Sequence, residues 1–366
     1  MEYHIVLIDG HPYRSIWLDP GNPLEVCIID QRALPWRLSI QRLRSSNDAY
    51  EAIANMTVRG APLIGATAAW GLYLAALAQP DNPDHLKKAA DYLSSARPTA
   101  INLRWSVTKV MSELDMTGDL AEQTRAIAET LCNEDVTVCR AIGEHGVTLI
   151  RQLSEPDSPG TPVNVLTHCN AGWLATVDRG TATAPIYAAH EQGMQVHVWV
   201  DETRPRNQGA SLTAWELHHQ NIPHTVIVDN AGGLLMQRGD VDLVIVGTDR
   251  TTAGGDVVNK IGTYLKALAA YHNNIPFYVA LPTSSIDWTI DRGRDVPIED
   301  RDAIEVTHIQ GLDASGSVRH IRVAHDSPVL NPGFDVTPVG LVTGFITELG
   351  VVTPDEFPSL QQRLGL

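Results

Sequence analysis

The feature that most constrains the fold is a repeated change of hydrophobic period between residues 163 and 280. Short apolar runs typical of buried strands alternate there with stretches of helical period. Such alternation predicts an α/β fold with a Rossmann-like parallel sheet covered by helices on both faces. The predicted strands are Val163–His168, Gln195–Val200, His224–Val228, Val241–Val246 and Ile275–Ala280, and the predicted helices are Thr181–Gln192, Ala210–Gln220, Ala231–Arg238 and Lys260–His272.

The preceding part of the chain follows another pattern. Residues 1–45 carry short β-like runs such as Val26–Ile29, and residues 47–150 have apolar positions three and four apart, as in Ala61–Leu77. The turn-rich segment 154–162 connects the two parts. We therefore expect a smaller N-terminal domain of short strands and helices at 1–138 and a Rossmann-like catalytic domain at 139–366.

Composition and missing motifs exclude several classes of function. A net charge of −16 argues against a nucleic-acid partner, because phosphate backbones are bound by clustered basic residues. The four cysteines lack the spacing of metal ligands. The chain also contains neither a GxGxxG motif nor a Walker loop, which argues against a nucleotide ligand. No apolar run approaches the ~18 residues of a membrane span, and the N-terminus lacks the pattern of a signal peptide. We expect a cytoplasmic protein that needs no cofactor or metal and binds no membrane.

Polar motifs follow four successive predicted strands, where ligands bind in such sheets. The motifs are THCNAG (167–172), DETRPRNQG (201–209), VDNAGG (228–233) and GTDR (247–250). Cys169 is predicted to lie near a helix N-terminus, which lowers a thiol pKa, and could act as base, nucleophile or polarising donor. Its structural alternative is a buried cysteine in a tight turn.

Asp249 directly follows an apolar strand and reaches the same edge of the sheet. If it is partly desolvated, its pKa rises and it can donate a proton at neutral pH. The alternatives are a helix N-cap or an ion pair with Arg250. Neither would explain its alignment with Cys169, so we favour a functional role.

A phosphate site is indicated at Arg59-Gly60-Ala61-Pro62, which precedes an apolar helix. A helix that begins after Gly and Pro offers free backbone N–H groups and the positive end of its dipole, and Arg59 would add a guanidinium. Alone this signal is weak, because many structural helices begin in this way.

Four further residues are candidates for substrate contacts. Arg97 offers another guanidinium, and Gln208 is suited to sugar hydroxyls. Asn259 and Lys260 are predicted to open the helix after GTDR, where an amide and an ammonium suit hydroxyls and phosphate. Each of them, taken alone, is more common as a surface or capping residue.

The combined motifs resemble the methylthioribose-1-phosphate isomerase family. They are RGAPLIGATAAWG, RPTAIN, THCNAGWLAT, DETRPRNQGASLTAWEL, VIVGTDRTTAGGDVVNKIGTY and NPGFDVTP, in colinear order over nearly the whole chain. The superfamily includes ribose-1,5-bisphosphate isomerases and regulatory subunits of the translation-initiation exchange factor 2B. The resemblance implies a homodimer that converts 5-methylthioribose 1-phosphate to 5-methylthioribulose 1-phosphate in methionine salvage.

The resemblance also implies roles for individual residues. By position, Cys169 matches the family's transition-state-stabilising cysteine and Asp249 its proton donor. Substrate contacts are implied for Arg59, Gly60, Ala61, Arg97, Gln208, Asn259 and Lys260. GTDR replaces the family's usual GADR, and Trp173 replaces a small residue. These departures leave the sugar 5-substituent open, so 5-deoxyribose 1-phosphate and ribose 1,5-bisphosphate are alternative substrates.

Two other functions remain as alternatives, a regulatory subunit and an oxidoreductase. A regulatory subunit without activity would not need both Cys169 and Asp249. A nicotinamide-dependent oxidoreductase would share the sheet but would need the glycine fingerprint that this chain lacks.

Overall fold

The protein is described here by a computed structural model covering residues 6–97, 100–154 and 161–365. Its N-terminal part begins with short strands and continues with helices. The strands are β1 (Leu7–Ile8), β2 (His11–Pro12), β3 (Ile16–Leu18), β4 (Val26–Ile29) and β5 (Ile40–Leu43), and the helices are α1 (Ser46–Ala54), α2 (Ala61–Ala78), α3 (Pro83–Ser94), α4 (Ile101–Glu113) and α5 (Leu120–Leu153). Strands β3, β4 and β5 form an antiparallel sheet.

Helix α2 is the centre of the N-terminal core. It is apolar around nearly its whole circumference, as expected of a helix that other elements surround. Its length and composition would suit a membrane span, but 83% of it is buried within the protein. It packs against α1, α3, α4 and α5. The N-terminal helix bundle is thus built around α2.

The long helix α5 joins two hydrophobic cores. Leu131 and Cys132 belong to the N-terminal core, whereas Ile142 and Val147 belong to the core under the large sheet. The predicted boundary at 138/139 lies within this helix, and the division into two domains stays a prediction. Most of the predicted connection at 154–162 lies outside the described residues.

The remaining chain builds the large sheet and the structures attached to it. Its strands are β6 (Val163–Thr167), β7 (Val196–Asp201), β8 (His224–Ile227), β9 (Leu243–Val246), β10 (Arg250–Thr252), β11 (Val257–Lys260), β12 (Phe277–Ala280), β13 (Ile286–Asp287), β14 (His308–Leu312), β15 (Val318–Arg322), β16 (Phe334–Thr337), β17 (Gly344–Thr347) and β18 (Gly350–Val352). Its helices are α6 (Ala184–Glu191), α7 (Ala214–His219), α8 (Ala231–Arg238), α9 (Thr263–His272), α10 (Ile304–Thr307) and α11 (Ser359–Arg363).

The large sheet confirms the predicted fold class. Its strand order is β18-β17-β12-β9-β6-β7-β8, and all neighbouring pairs are parallel except β17 with β18. The chain fills one half from β6 to β8 and then crosses back to β9 to fill the other half. Strands β6 and β9 are therefore neighbours whose connections leave in opposite directions.

Two predicted helices are wrong at their starts, because α6 begins at Ala184 instead of Thr181 and α9 begins at Thr263 instead of Lys260. Asn259 and Lys260 do not open a helix, because they end β11 and α9 begins at Thr263. Strands β10, β11, β13 and β16 form a second sheet that we did not predict from the sequence. Its strand β11 pairs with β16, with Val257 opposite Thr337. This pairing joins segments far apart in the chain, which local periodicity does not reveal.

Candidate active site

The candidate site lies where β6 and β9 end side by side. In a doubly wound sheet the loops diverge at this position and leave a crevice that binds ligands. Cys169 follows β6 and Asp249 follows β9. The two residues predicted to carry the chemistry therefore face the same crevice from its two sides.

A narrow cavity of about 30 Å³ connects these two residues. Among the residues lining it are Arg59, Gly60, Ala61, Cys169, Asp249 and Asn259. A neighbouring cavity of about 20 Å³ is lined by Ala61, Arg97, Asp249 and Arg250, together with apolar side chains. Gln208 and Lys260 line neither cavity. The two cavities adjoin one another, because Ala61 and Asp249 line both.

A larger cavity lies on the other side of Pro62 and Pro282. Its volume is about 790 Å³, but no lysine or arginine lines it. Its charged lining residues are Glu134, Asp135 and Glu348. An acidic lining repels phosphate, so the smaller cavities are the better candidate for a phosphorylated sugar.

Cys169 occupies a constrained turn and not the start of a helix. Its φ of 66° is left-handed, a conformation that non-glycine residues rarely adopt and that is often found at functional sites. Its N–H donates to Thr203 Oγ1 at 2.8 Å, and its carbonyl accepts a bond from Thr213 Oγ1 at 2.6 Å. Because α6 begins only at Ala184, the predicted helix dipole near Cys169 is wrong.

Asp249 is half-buried at the start of the hairpin formed by β10 and β11. Its backbone N–H donates to the carbonyl of Val258 at 3.1 Å. Its carboxyl group accepts no hydrogen bond among the described residues, and no described helix begins there. Arg250 pairs with Asp287 at 3.3 Å. The structure thus shows neither the N-cap nor the Asp249–Arg250 ion pair considered as alternatives.

Arg59 and Gly60 are fixed against the loop that carries Cys169. The Arg59 guanidinium donates to the side-chain and backbone oxygens of Asn170, both at 2.6 Å. Gly60 has a φ of 91°, and a Cβ there would lie 2.4 Å from the carbonyl oxygen of Ala175, so only glycine fits. Gly60 also forms the N-cap of α2, and Ala61 begins this helix as predicted.

Lys260 is a buried cation without an anionic partner among the described residues. Only 8% of it is exposed, and its ammonium donates to the carbonyl of Gly333 at 3.1 Å. Burial lowers its pKa, whereas the charges of Cys169 and Asp249 act in the opposite direction. Arg59, which is 9% exposed, likewise has no carboxylate partner within the described part of the chain. Buried charges are costly unless something neutralises them, and a phosphate would do so here.

Arg97 and Gln208 also carry buried polar atoms without partners. Within the described ranges, Arg97 Nε and Gln208 Oε1 form no hydrogen bond. A second nitrogen of Arg97 lies 3.4 Å from Glu299. Asn259 is occupied, since its amide donates to Thr263 Oγ1 at 3.0 Å. The roles of all these residues toward a substrate remain predictions.

The motifs predicted at the strand ends contain His168, Asp201 and Asp229, but the sequence analysis did not predict that these residues form a group beside the site. His168 Nδ1 lies 2.8 Å from Asp201, and its Nε2 lies 2.8 Å from the carbonyl of Ile261. His168, Asp201 and Asp229 are close enough together to hold a metal ion. The ammonium of Lys266 instead lies 3.1 Å from Asp201 and donates to the carbonyl of Asp229. An internal cation thus occupies this position, and the cluster does not suit a metal.

Glu216 is the second feature that the sequence analysis missed. It lies in α7 and is fully buried. A glutamate between Trp215 and Leu217 in an apolar helix was a signal for a buried carboxylate. Its partners, which belong to distant segments, could not be read from that signal.

Comparison with known proteins identifies the family. The model of the initiation factor 2 subunit family matches residues 57–354. The chain belongs to this family. The methylthioribose-1-phosphate isomerase of Rhodospirillum centenum is 58% identical, with 97% of each chain covered. The isomerase of the same name from Methylocella silvestris is 56% identical over 94% of this chain and 95% of its own length.

Solved structures give the same result. The 5-methylthioribose 1-phosphate isomerase of Pyrococcus horikoshii OT3 superposes with a TM-score of 0.81, at 39% identity and 96% coverage of both chains. A structure described as subunit delta of the initiation factor eIF-2B from A. fulgidus has a TM-score of 0.78 and 38% identity, covering 97% of this chain and 100% of its own. The predicted resemblance is confirmed, and the chain is an isomerase of this family.

Proposed function

We propose that the protein converts 5-methylthioribose 1-phosphate to 5-methylthioribulose 1-phosphate, an aldose–ketose isomerisation in methionine salvage. The observation that carries this proposal is the pair of buried cations, Arg59 and Lys260, which lie beside Cys169 and Asp249 and form no ion pair with any carboxylate that the structure describes. The names of relatives more than half identical to this chain support the choice of substrate.

The substrate explains why an acid is needed. A sugar 1-phosphate is locked as a cyclic acetal and does not open to its aldehyde spontaneously, as a free aldose does. A proton must reach the ring oxygen as the ring opens. Asp249 is the proposed donor, because its half-buried carboxyl group has no partner among the described residues and adjoins both cavities.

Cys169 is proposed to assist the transfer of hydrogen from C2 to C1. Two routes are compatible with its position. The hydrogen moves as a proton through an enediol, with Cys169 as base, or as a hydride within a cavity that excludes water. Turnover in heavy water separates the two routes, because deuterium at C1 of the product excludes a direct hydride shift.

The proposal is tested by offering purified protein a panel of pentose 1-phosphates. We expect 5-methylthioribose 1-phosphate to have the highest kcat/KM. Higher kcat/KM for 5-deoxyribose 1-phosphate or ribose 1,5-bisphosphate would overturn the choice of substrate. No turnover of any of them would favour the regulatory-subunit alternative.

The structure offers no free guanidinium at Arg206 for the second phosphate of a bisphosphate. Arg206 pairs with Glu305 at 3.0 Å. The same Glu305 oxygen lies 2.9 Å from Arg301. A 5-phosphate would have to break this arrangement to use Arg206, which weighs against ribose 1,5-bisphosphate.

We also propose a homodimer that works in the cytoplasm without a cofactor. Large apolar side chains are exposed on α9, among them Leu265 and Tyr271, and a second copy would cover such a surface. All four cysteines are free, as is usual in a reducing compartment. Light scattering of purified protein tests the dimer, and a monomeric mass at micromolar concentration would refute it.

A further inference from the structure

Glu216 is a buried carboxylate that no step of the proposed chemistry uses. Its side chain is completely shielded from solvent, and its two oxygens accept four hydrogen bonds. The donors are the Asn170 amide at 3.0 Å, the Trp173 N–H at 3.2 Å, the Leu174 N–H at 2.8 Å and the Tyr187 hydroxyl at 2.9 Å. Three of these donors belong to the loop that carries Cys169.

The packing around Glu216 leaves little freedom. A Cβ at position 172 would lie 1.7 Å from Glu216 Oε2, so the loop passes as close to the carboxylate as a glycine permits. Thr213, which directly precedes α7, donates to the carbonyl of Cys169. The segment containing Thr213 and Glu216 therefore contacts both Cys169 and Asn170.

Asn170 connects Glu216 to the N-terminal part of the protein. Its amide nitrogen donates to Glu216 at 3.0 Å and to Thr213 Oγ1 at 3.2 Å, and these two acceptors fix the orientation of its amide group. Its side-chain oxygen and its carbonyl then both accept hydrogen bonds from Arg59. Reversal of the amide would turn its NH₂ toward Arg59 and lose one of these bonds. The carboxylate thus acts on Arg59 through one intervening residue.

We propose that Glu216 is a positioning residue, whose buried carboxylate orients Asn170 and thereby fixes the Arg59 guanidinium beside the Cys169 turn. This inference rests on the proposed function, because it assumes that Arg59 binds the substrate phosphate.

The four donors around Glu216 suit its ionised form, and burial opposes that form. Burial raises its pKa to about 7, whereas its hydrogen bonds and the nearby Arg59 lower it. A neutral amide would be unsuitable at this position. Glutamine supplies one acceptor oxygen, and its NH₂ would face groups that also donate.

The test is a double-mutant cycle of Glu216→Gln and Arg59→Met in the full-length protein. Inorganic phosphate is the probe, and its Kd is measured by calorimetry alongside KM and kcat for the sugar phosphate. We expect Glu216→Gln to weaken phosphate binding by about 10-fold or more, the scale of a misplaced binding group. In the Arg59→Met background the same substitution should change the Kd by less than about twofold.

A merely structural role predicts a different result. Glu216→Gln would then lower the melting temperature and weaken phosphate binding by the same factor with or without Arg59. Tyr187→Phe is the matched control, because it removes one donor to the carboxylate and leaves the bond to Asn170. It should leave the Kd for phosphate within about twofold of wild type.

A second variant keeps the inference testable if Glu216→Gln does not fold. Asn170→Ala retains the backbone bonds to Glu216 and the bond from Arg59 to the carbonyl of residue 170. It removes only the side-chain link between Glu216 and Arg59, so it should weaken phosphate binding in the same way. Wild-type phosphate binding by Asn170→Ala would overturn the inference. Failure of the proposed function is distinguishable, because the wild-type protein would then turn over no sugar phosphate.

Discussion

Two buried lysines near the site, Lys260 and Lys266, have opposite surroundings. Lys266 is 4% exposed and contacts the carboxylate of Asp201, which also contacts His168. Lys260 is 8% exposed, and its ammonium donates to the carbonyl of Gly333 and lies over the Phe334 ring without an ion pair among the described residues. Removal of one partner from a buried ion pair leaves an uncompensated charge in the interior, whereas a buried charge without a partner is available to a ligand. The comparison separates supporting groups from substrate-binding groups.

The largest effect on turnover is expected from substitution of Asp249. Like the ammonium of Lys260, its carboxyl group has no charged partner among the described residues. Asp249→Asn removes the proton donor, so kcat should fall by at least ~10²-fold while the fold is retained. Steady-state kinetics measures kcat, and circular dichroism shows whether the fold is retained. The exposed Asp291→Asn is the control and should have wild-type kcat. Near-normal turnover by Asp249→Asn would eliminate the proposed donor.

Substitution of Lys266 should act mainly on stability. Lys266→Met leaves the buried Asp201 carboxylate without its ammonium partner, which typically costs about 3–5 kcal/mol of unfolding free energy. Urea denaturation followed by circular dichroism measures this loss. A variant as stable as wild type would show that His168 alone supports Asp201, and the distinction between the two lysines would then fail.

Substitution of Lys260 should have the complementary result. Lys260→Met removes a lone buried charge, so the unfolding free energy should be unchanged or higher. Substrate binding should weaken by ~10–100-fold, the value of one hydrogen bond to a charged group. Denaturation and KM are measured in parallel with Lys266→Met. A Lys260→Met protein with lower stability and normal KM would show that Lys260 supports the fold and does not bind the substrate.

The smallest effect is expected in the alkaline pH dependence. Burial lowers the pKa of Lys260 below 10.5, and only the protonated ammonium attracts phosphate. As the pH rises through this lowered pKa the charge is lost, so KM should increase at a lower pH than for an ordinary lysine. Lys260→Arg retains its charge, since arginine stays protonated above pH 12. Identical KM profiles of wild type and variant between pH 7 and 10 would exclude this role for Lys260.

The fold could be predicted largely because its signals are local. Val163–Thr167 and Leu243–Val246 are buried strands inside longer predicted runs, since a strand covered on both faces must be apolar along its length. The start of α9 was misplaced because Asn259 and Lys260 read as polar residues before a helix. They are in fact paired in β11, where Asn259 lies opposite Asp335.

The candidate site was predictable only in part. The sequence indicated Cys169 and Asp249, because both follow apolar strands, and the structure brings them to one cavity. It did not indicate how Cys169 is held, since a φ of 66° and the bonds from Thr203 and Thr213 depend on distant segments. Glu216 was missed for the same reason.

The sequence by itself determined the alternating strands and helices between residues 163 and 280 and the polar residues at the strand ends, because hydrophobic period acts over a few neighbouring residues. The tertiary structure alone decided which charges have partners. Lys266 meets Asp201, Arg59 meets Asn170, and Lys260 meets the carbonyl of Gly333. Each contact joins segments far apart in the chain, and a buried charge is neutralised by the groups that folding places around it.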